Sequence, residues 1–109
     1  MKLRLLGSGG VIPPPKPGCD CDVCSEARRK GIPYSRTGPS LFIEDINLLL
    51  DTPEDIRNQL NREGIKRIDH VILTHWHPDH TLGLRIFEQL NWDFEHGKAG
   101  KPIDVYMSR

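Results

Sequence analysis

The sequence lacks any long apolar run. None of its apolar stretches approaches the roughly 18 residues of a membrane-spanning helix, and the N-terminal segment 1–7 is too short for the apolar region of a signal peptide. Net charge is also absent, because fifteen basic residues balance fifteen acidic ones. No overall positive field therefore attracts nucleic acid or an anionic membrane. We expect a cytoplasmic protein with no membrane partner that binds any anionic substrate locally.

The chain is also too short for two domains. Its 109 residues correspond to one domain at most, and a hydrophobic content of 37% is sufficient for a modest core. The sequence contains no internal repeat, and its only compositional bias is the proline stretch at 13–17.

Cysteine is scarce and clustered, with Cys19, Cys21 and Cys24 as its only representatives. An odd, crowded set fits a metal site in a cytosolic protein better than a disulfide framework. Three thiolates at this spacing can occupy three corners of a tetrahedral structural zinc site, whose fourth ligand the sequence does not reveal. Unliganded or redox-active cysteines are the alternative. His96 has no spacing that recommends it as the fourth ligand, so we interpret it as a loop histidine.

Potential metal ligands are instead abundant in one short stretch, where His75, His77, Asp79 and His80 follow an apolar run. A lone histidine after a buried strand is usually structural, but four ligands within six positions predict a metal centre for zinc, iron or manganese. If the backbone stays extended, His75 and His77 share one side. Pro78 then changes the chain direction, so that Asp79 and His80 point at a neighbouring position.

Apolar periodicity predicts a mixed α/β arrangement, a sheet with helices on at least one face. The predicted strands and helices are a first strand containing Leu3, Leu5 and Leu6, a helix at 25–30, a hairpin of 41–44 and 46–50, a helix from Pro53 to about Gly64 capped by Thr52 or Asp51, a strand at 68–73, a helix containing Leu82, Ile86, Phe87 and Leu90, and a strand at 103–106. The histidine stretch then lies at the carboxyl end of a strand, where open α/β sheets bind ligands.

Two further features give weaker functional signals. The glycine-rich segment 7–10 follows the first strand and could cradle a phosphate, but the prolines after it exclude the helix that a nucleotide site requires. Backbone turning is therefore the favoured interpretation. Arg36 lies in an irregular segment and is a candidate anion contact, with a solvated loop residue as the default.

The pattern His75-x-His77-x-Asp79-His80, with Asp51 at the end of an earlier strand, resembles the signature of the metallo-β-lactamase superfamily. The glycine-rich segment and the cysteine cluster are similar to those of one branch, the phosphoribosyl cyclic phosphate phosphodiesterases. The pyrroloquinoline-quinone biosynthesis B proteins look similar at the same positions. The resemblance covers essentially the whole chain, but only the first half of such a family member.

This resemblance implies a fold and a ligand set. The implied fold is α/β, the N-terminal half of an αββα sandwich, with residues 1–109 forming an incomplete domain that contains a cysteine zinc loop at 19–24. His75 and His77 would bind a first divalent metal ion, and Asp79 and His80 a second, either zinc or manganese. Asp79 would also orient the nucleophile or transfer protons. One structural zinc would be held by the cysteines and by a histidine from the second half.

The resemblance also implies an activity, the metal-dependent hydrolysis of a small cyclic phosphate or related phosphodiester. The remaining metal ligands would come from the second half, so we expect little or no turnover from this chain alone. The alternatives are a non-catalytic zinc-binding fragment and a superfamily member that processes RNA or acts in pyrroloquinoline-quinone biosynthesis. The neutral charge argues against nucleic acid as a partner. An uncovered sheet face would favour association into a homo-oligomer.

Overall fold

The computed structural model describes residues 1–109 as a five-stranded mixed sheet with helices and a small separate hairpin. The elements in chain order are β1 (Leu3–Gly7), α1 (Asp22–Lys30), β2 (Ser40–Ile43), a 3-10 turn (Glu44–Ile46), β3 (Leu48–Leu50), α2 (Ile56–Glu63), β4 (His70–Leu73), α3 (Pro78–Thr81), α4 (Ile86–Asn91), β5 (Trp92–Asp93), β6 (Lys98–Ala99) and β7 (Asp104–Met107). No helix has both the length and the apolar character needed to cross a membrane.

The strand order of the sheet is β1-β2-β3-β4-β7. The β1–β2 and β2–β3 pairs are antiparallel, whereas β3–β4 and β4–β7 are parallel. Strands β1, β3, β4 and β7 consequently run in the same direction, and their carboxyl ends meet at one edge of the sheet. This topology confirms the predicted mixed sheet with flanking helices.

The core lies on the face of the sheet that the helices cover. Its buried members are Leu6, Phe42, Leu49, Ile56, Leu60, Ile68, Val71, Leu73 and Ile86. Alternation along β4 directs Val71 and Leu73 into this core, because successive side chains of a strand point to opposite faces.

The opposite face of the sheet is also apolar but is open to solvent. One row of directly paired residues crosses all five strands on this face: Leu5, Leu41, Leu50, Ile72 and Tyr106. At the two ends of the row, Leu5 is 66% exposed and Tyr106 is 51% exposed. The predicted uncovered sheet face is therefore present in the structure.

Several predicted boundaries are wrong, each for a local reason. The first helix begins at Asp22 rather than Ser25, because the Cys21 sulfur caps it by accepting from the Cys24 N–H. Helix α2 begins only at Ile56, so neither Asp51 nor Thr52 is its cap. The C-terminal boundary at Gly64 is confirmed, with a left-handed φ of 66° that glycine adopts readily.

The helix predicted after the histidine stretch is divided into α3 and α4. Gly83 lies in the turn between them, and its N–H donates to the carbonyl oxygen of Thr52 at 2.8 Å. Ile86 is buried as predicted, but Leu82 is 64% exposed and does not belong to the core. The segment predicted as a loop after α4 instead contains the small β5–β6 hairpin.

Candidate metal centre

The histidine stretch leaves β4 at the edge where the carboxyl ends of four strands meet. The chain remains extended through His77, whose φ and ψ are −54° and 142°, and Pro78 then starts the short helix α3. The rings of His75 and His77 lie with centroids 4.7 Å apart, and those of His75 and His80 4.0 Å apart. Extension followed by a proline-initiated turn thus gathers three imidazoles at one place.

Asp79 points at the same place as His80. Its Oδ2 lies 3.3 Å from the Nε2 atom of His80, and both side chains are largely buried, at 15% and 17% exposure. The four predicted ligands are consequently neighbours. Their role in metal binding remains a prediction, which the donor chemistry of imidazole and carboxylate supports.

Asp51 is the residue of this centre that sequence reasoning did not include among the site residues. It is 6% exposed and adopts a φ of 63°, an uncommon conformation for a residue other than glycine. Its carboxylate accepts from the Thr74 N–H at 2.8 Å and from the Thr74 hydroxyl at 2.7 Å, and it lies 2.8 Å from Nδ1 of His80. The sequence contained a signal that could have identified Asp51 as a site residue. An aspartate directly after a strand that pairs in parallel with β4 must lie beside the histidines.

These hydrogen bonds determine which nitrogen of His80 is free. An ionised carboxylate only accepts hydrogen bonds, so His80 must donate to Asp51 through Nδ1–H. In the neutral imidazole the lone pair then remains on Nε2, which lies 3.3 Å from Oδ2 of Asp79 without a hydrogen bond between them. Orientation of a metal-binding imidazole by a carboxylate on its other nitrogen is a common arrangement around protein metal sites.

The same reasoning applies to His75. Thr74 has a single hydroxyl hydrogen, and it donates that hydrogen to Asp51. The hydroxyl oxygen therefore accepts from Nδ1–H of His75, which lies 3.0 Å away. Nε2 of His75 is consequently also left with a free lone pair. Asp51 thus orients one imidazole directly and a second through Thr74, and imidazole nitrogen and carboxylate oxygen are donor types that suit a divalent metal ion.

The backbone of α3 is also attached to the end of β3. The Thr52 N–H donates to the carbonyl oxygen of His80 at 2.8 Å, and the Thr52 carbonyl accepts from Gly83. A side chain on Gly83 has no space, since an added Cβ would lie 2.6 Å from Cγ2 of Ile56 and 2.8 Å from the Thr52 oxygen. His80 is therefore held through its backbone as well as through its ring.

The cysteine cluster forms a second group of candidate ligands. The sulfurs of Cys19, Cys21 and Cys24 all lie within 4.8 Å of one another. Two N–H groups of this region donate to sulfur, that of Lys16 to Cys24 at 3.3 Å and that of Cys24 to Cys21 at 3.5 Å. Arg28 holds the loop by donating to the carbonyl oxygens of Cys19 and Lys16 at 2.6 and 2.8 Å. Three converging sulfurs fit three corners of a zinc site.

The cysteines differ in their acid–base properties. Hydrogen bonds from the backbone and thiol of Cys21, followed by the thiol of Cys24, hold the pKa of Cys19 below its usual range. The Lys16 N–H acts in the same direction on Cys24, but burial and the neighbouring thiols outweigh it and raise the pKa of that residue. The thiols of Cys19 and Cys24 therefore differ in acidity.

His96 lies apart from both groups, as its interpretation as a loop histidine predicted. Its Nδ1 is 2.6 Å from Oδ2 of Asp93 within the β5–β6 hairpin, and this contact is the first cause of the lowered pKa of Asp93. Asp93, Glu95 and His96 form a small exposed cluster of their own. Within this chain, His96 does not complete the cysteine site.

Comparison with known proteins identifies the family of this chain. Residues 38–93 match the family model of the metallo-β-lactamase superfamily. A crystal structure of a diphosphatase from the PhnP family is 39% identical, with a TM-score of 0.77, over 95% of this chain and 40% of that one. Zinc-bound PqqB from Methylobacterium extorquens is 30% identical, with a TM-score of 0.65, over 77% of this chain and 35% of that protein.

Two curated relatives are similar over less of their own length. An octanoyltransferase from Porphyromonas gingivalis is 38% identical over 87% of this chain, which spans 19% of that protein. Ribonuclease Z from Clostridium tetani is 29% identical over 75% of this chain and 22% of its own length. The chain thus spans less than half of each of these relatives. The matched family model, which covers more than half of the chain, shows that the chain belongs to the metallo-β-lactamase superfamily.

Proposed function

We propose that this chain supplies the histidine-rich half of a dinuclear metal centre that hydrolyses a small phosphodiester, such as a cyclic phosphate. The observation on which the proposal rests is the network from Asp51 through Thr74 and His80, which leaves the Nε2 lone pairs of His75 and His80 free. A structural aspartate would not need to specify two imidazole tautomers at once. Similarity to a diphosphatase of the PhnP family supports the substrate class.

A pair of divalent ions, zinc or manganese, would supply an activated water and neutralise the charge that develops on the phosphoryl oxygens. His75 and His77 would hold one ion, and Asp79 and His80 the other. The carboxylate of Asp79 makes no hydrogen bond or ion pair in the chain other than its ion pair with His80, so it can also accept a proton from the attacking water. Asp51 and Thr74 keep the imidazoles oriented throughout.

The cysteine cluster serves a separate, structural purpose in this proposal. Three sulfurs within 4.8 Å of one another would bind one zinc ion and join the loop before α1 to the start of that helix. Thiolate ligation requires reduced cysteines, and we therefore propose that the protein functions in a reducing compartment such as the cytoplasm.

The test combines metal binding with hydrolysis. The chain and its His77→Ala variant are titrated with Zn²⁺ or Mn²⁺ and then assayed with bis-(p-nitrophenyl) phosphate, with and without a chelator. We expect His77→Ala to weaken binding at the histidine centre by more than the roughly 10–100-fold that follows loss of an orienting residue. Wild-type binding by this variant would contradict the proposal.

Turnover separates the catalytic role from its alternatives. We propose that residues 1–109 form an incomplete domain, so strong chelator-sensitive turnover is expected only when the remaining part of a relative's fold is supplied. A single tight zinc ion that survives His75→Ala and His77→Ala but is lost in Cys21→Ser would instead favour a non-catalytic zinc-binding role. The similarity to ribonuclease Z raises RNA as a substrate. Failure to bind tRNA at low salt would exclude it.

The open face of the sheet suggests a partner as well. We propose that the apolar row from Leu5 to Tyr106 packs against a second copy of this chain, since the row crosses five strands and a net charge of zero imposes no repulsion between copies. Gel filtration should show a dimer, and Leu5→Lys should shift it to a monomer. A wild-type monomer that binds no hydrophobic dye would contradict this proposal.

A further inference from the structure

A cavity of about 840 Å³ lies between α2, α4 and the β5–β6 hairpin. Helix α2 contributes Arg57 to its lining, α4 contributes Gln89, and the hairpin contributes Trp92 and Phe94. None of the lining residues belongs to the histidine centre or to the cysteine cluster. The volume is within the range of small-molecule sites, so the cavity is a candidate site that the proposed hydrolysis does not involve.

The two aromatic side chains of the cavity are largely exposed. Trp92 is 47% exposed and Phe94 is 92% exposed, and neither belongs to the hydrophobic core. Aromatic rings normally stabilise a fold by being buried, which Phe94 does not do here. Exposed apolar rings that border a cavity are typical of a binding surface. Both rings are therefore available to stack on a planar ligand.

The charge of the cavity comes from one arginine. Arg85 and Glu88 both line it, but they form an ion pair with each other at 3.8 Å, so their charges cancel. The exposed guanidinium of Arg57 makes no hydrogen bond or ion pair. Guanidinium is always protonated, and its forked donors match the two oxygens of a carboxylate. The lining consequently offers one net positive charge beside two aromatic rings.

The cavity remains accessible when the opposite face of the sheet is covered. Ile56 and Ile86 direct their side chains from α2 and α4 into the core, whereas Arg57 and Gln89 of the same helices are exposed to solvent. The open apolar face lies on the other side of the sheet from these helices. A ligand in the cavity and a partner on the open face can therefore bind at the same time.

We propose that this cavity binds a small aromatic carboxylate. The ring of the ligand lies against Trp92 and Phe94, and its carboxylate accepts hydrogen bonds from the guanidinium of Arg57. A carboxylate balances the single net positive charge of the lining, whereas a phosphate monoester carries nearly two negative charges and would leave one unbalanced. The site requires no metal and is independent of the hydrolysis proposed above.

The test follows the two tryptophan side chains of the metal-free protein. Phenylacetate is titrated into ¹⁵N-labelled chain in the presence of a chelator, and the indole N–H signals are followed by NMR. The chain contains only Trp76 and Trp92, so Trp76 serves as an internal reference. We expect a saturable shift of the Trp92 signal and no shift of the Trp76 signal. Absence of a saturable shift at Trp92 would overturn the proposal.

Ligand analogues separate the two contacts. Phenylacetamide keeps the ring but lacks the charge, and it should bind about tenfold or more weakly than phenylacetate because a charge-assisted hydrogen bond is lost. Cyclohexylacetate keeps the carboxylate but lacks the aromatic ring, and it should also bind more weakly. Affinity equal to that of phenylacetate in either analogue would contradict the assigned ligand class.

Matched variants assign the contacts to residues. Arg57→Gln should weaken phenylacetate by about tenfold or more and leave phenylacetamide unaffected. Arg29→Gln is the control, because Arg29 is also exposed and unpaired but lies on α1. Phe94→Ala should weaken both ligands alike, by about two- to tenfold, without changing the melting temperature, since this ring is almost fully exposed. Equal weakening by Arg57→Gln and Arg29→Gln would indicate a general charge effect and overturn the site.

Discussion

Replacement of Asp51 by asparagine should alter the tautomer of His80 more than the stability of the fold. Asparagine has nearly the same shape and tolerates the φ of 63° found at this position. Its carbonyl oxygen can still accept from the Thr74 N–H, but its amide then directs N–H groups towards the Thr74 hydroxyl and Nδ1 of His80. His80 can keep this hydrogen bond only by moving its proton from Nδ1 to Nε2.

The expected magnitudes follow from this exchange of donors and acceptors. The number of hydrogen bonds is conserved but their charge assistance is lost, so the free energy of unfolding should fall by about 1–3 kcal/mol. Metal binding at Nε2 now requires the proton to move back, and affinity at the histidine centre should fall by about 10–100-fold.

The assay measures both quantities on the same samples. Urea unfolding gives stability, Zn²⁺ competition with a chromophoric chelator gives affinity, and the ¹⁵N chemical shifts of the His80 ring report its tautomer. Asp69→Asn is the control, since it removes a carboxylate that pairs with Arg67 and Asn47 and makes no hydrogen bond or ion pair with His75, His77 or His80. It should reduce stability and leave metal affinity unchanged. Wild-type affinity in Asp51→Asn, or an unchanged His80 tautomer, would refute the reasoning.

Three further outcomes are expected. Gly83→Ala should lower the free energy of unfolding by about 1–3 kcal/mol through overpacking against Ile56 and Thr52, whereas Gly10→Ala should not change it. Equal melting temperatures of these two variants in differential scanning fluorimetry would contradict this expectation. Hydrogen bonds from Arg67 and then Asn47 lower the pKa of Asp69, so the stability that this carboxylate contributes is present above its unfolded pKa of about 3.9 and is lost as pH falls below that value. Unfolding measured from pH 6 to pH 2 should therefore be less pH-dependent in Asp69→Asn, and parallel profiles would count against the assignment. Cys21→Ser should abolish one bound zinc ion in elemental analysis and leave binding at the histidine centre intact, and loss at both places would mean that the two sites are coupled.

Much of the fold could be predicted because the signals were local. Alternating apolar residues marked the strands, and Gly64 marked the end of α2. The starts of α1 and α2 could not be predicted in this way. A cysteine sulfur caps the first, and the second begins late because Thr52 hydrogen-bonds to His80, which is distant in sequence.

The sequence by itself determined that four potential ligands would be neighbours, because a strand followed by Pro78 can only turn where the proline requires it. It also determined that three sulfurs would converge within one short loop. Both are consequences of spacing along the chain.

Only the tertiary structure decided which atom of each histidine is free. Asp51 is 29 residues from His80 in sequence and reaches it because β3 and β4 pair in parallel and end at the same edge. The tertiary structure likewise brought Arg57 of α2 and the aromatic residues of the β5–β6 hairpin to the lining of one cavity. Tautomers and open cavities depend on groups from separate strands and helices, and no spacing within one stretch of sequence specifies them.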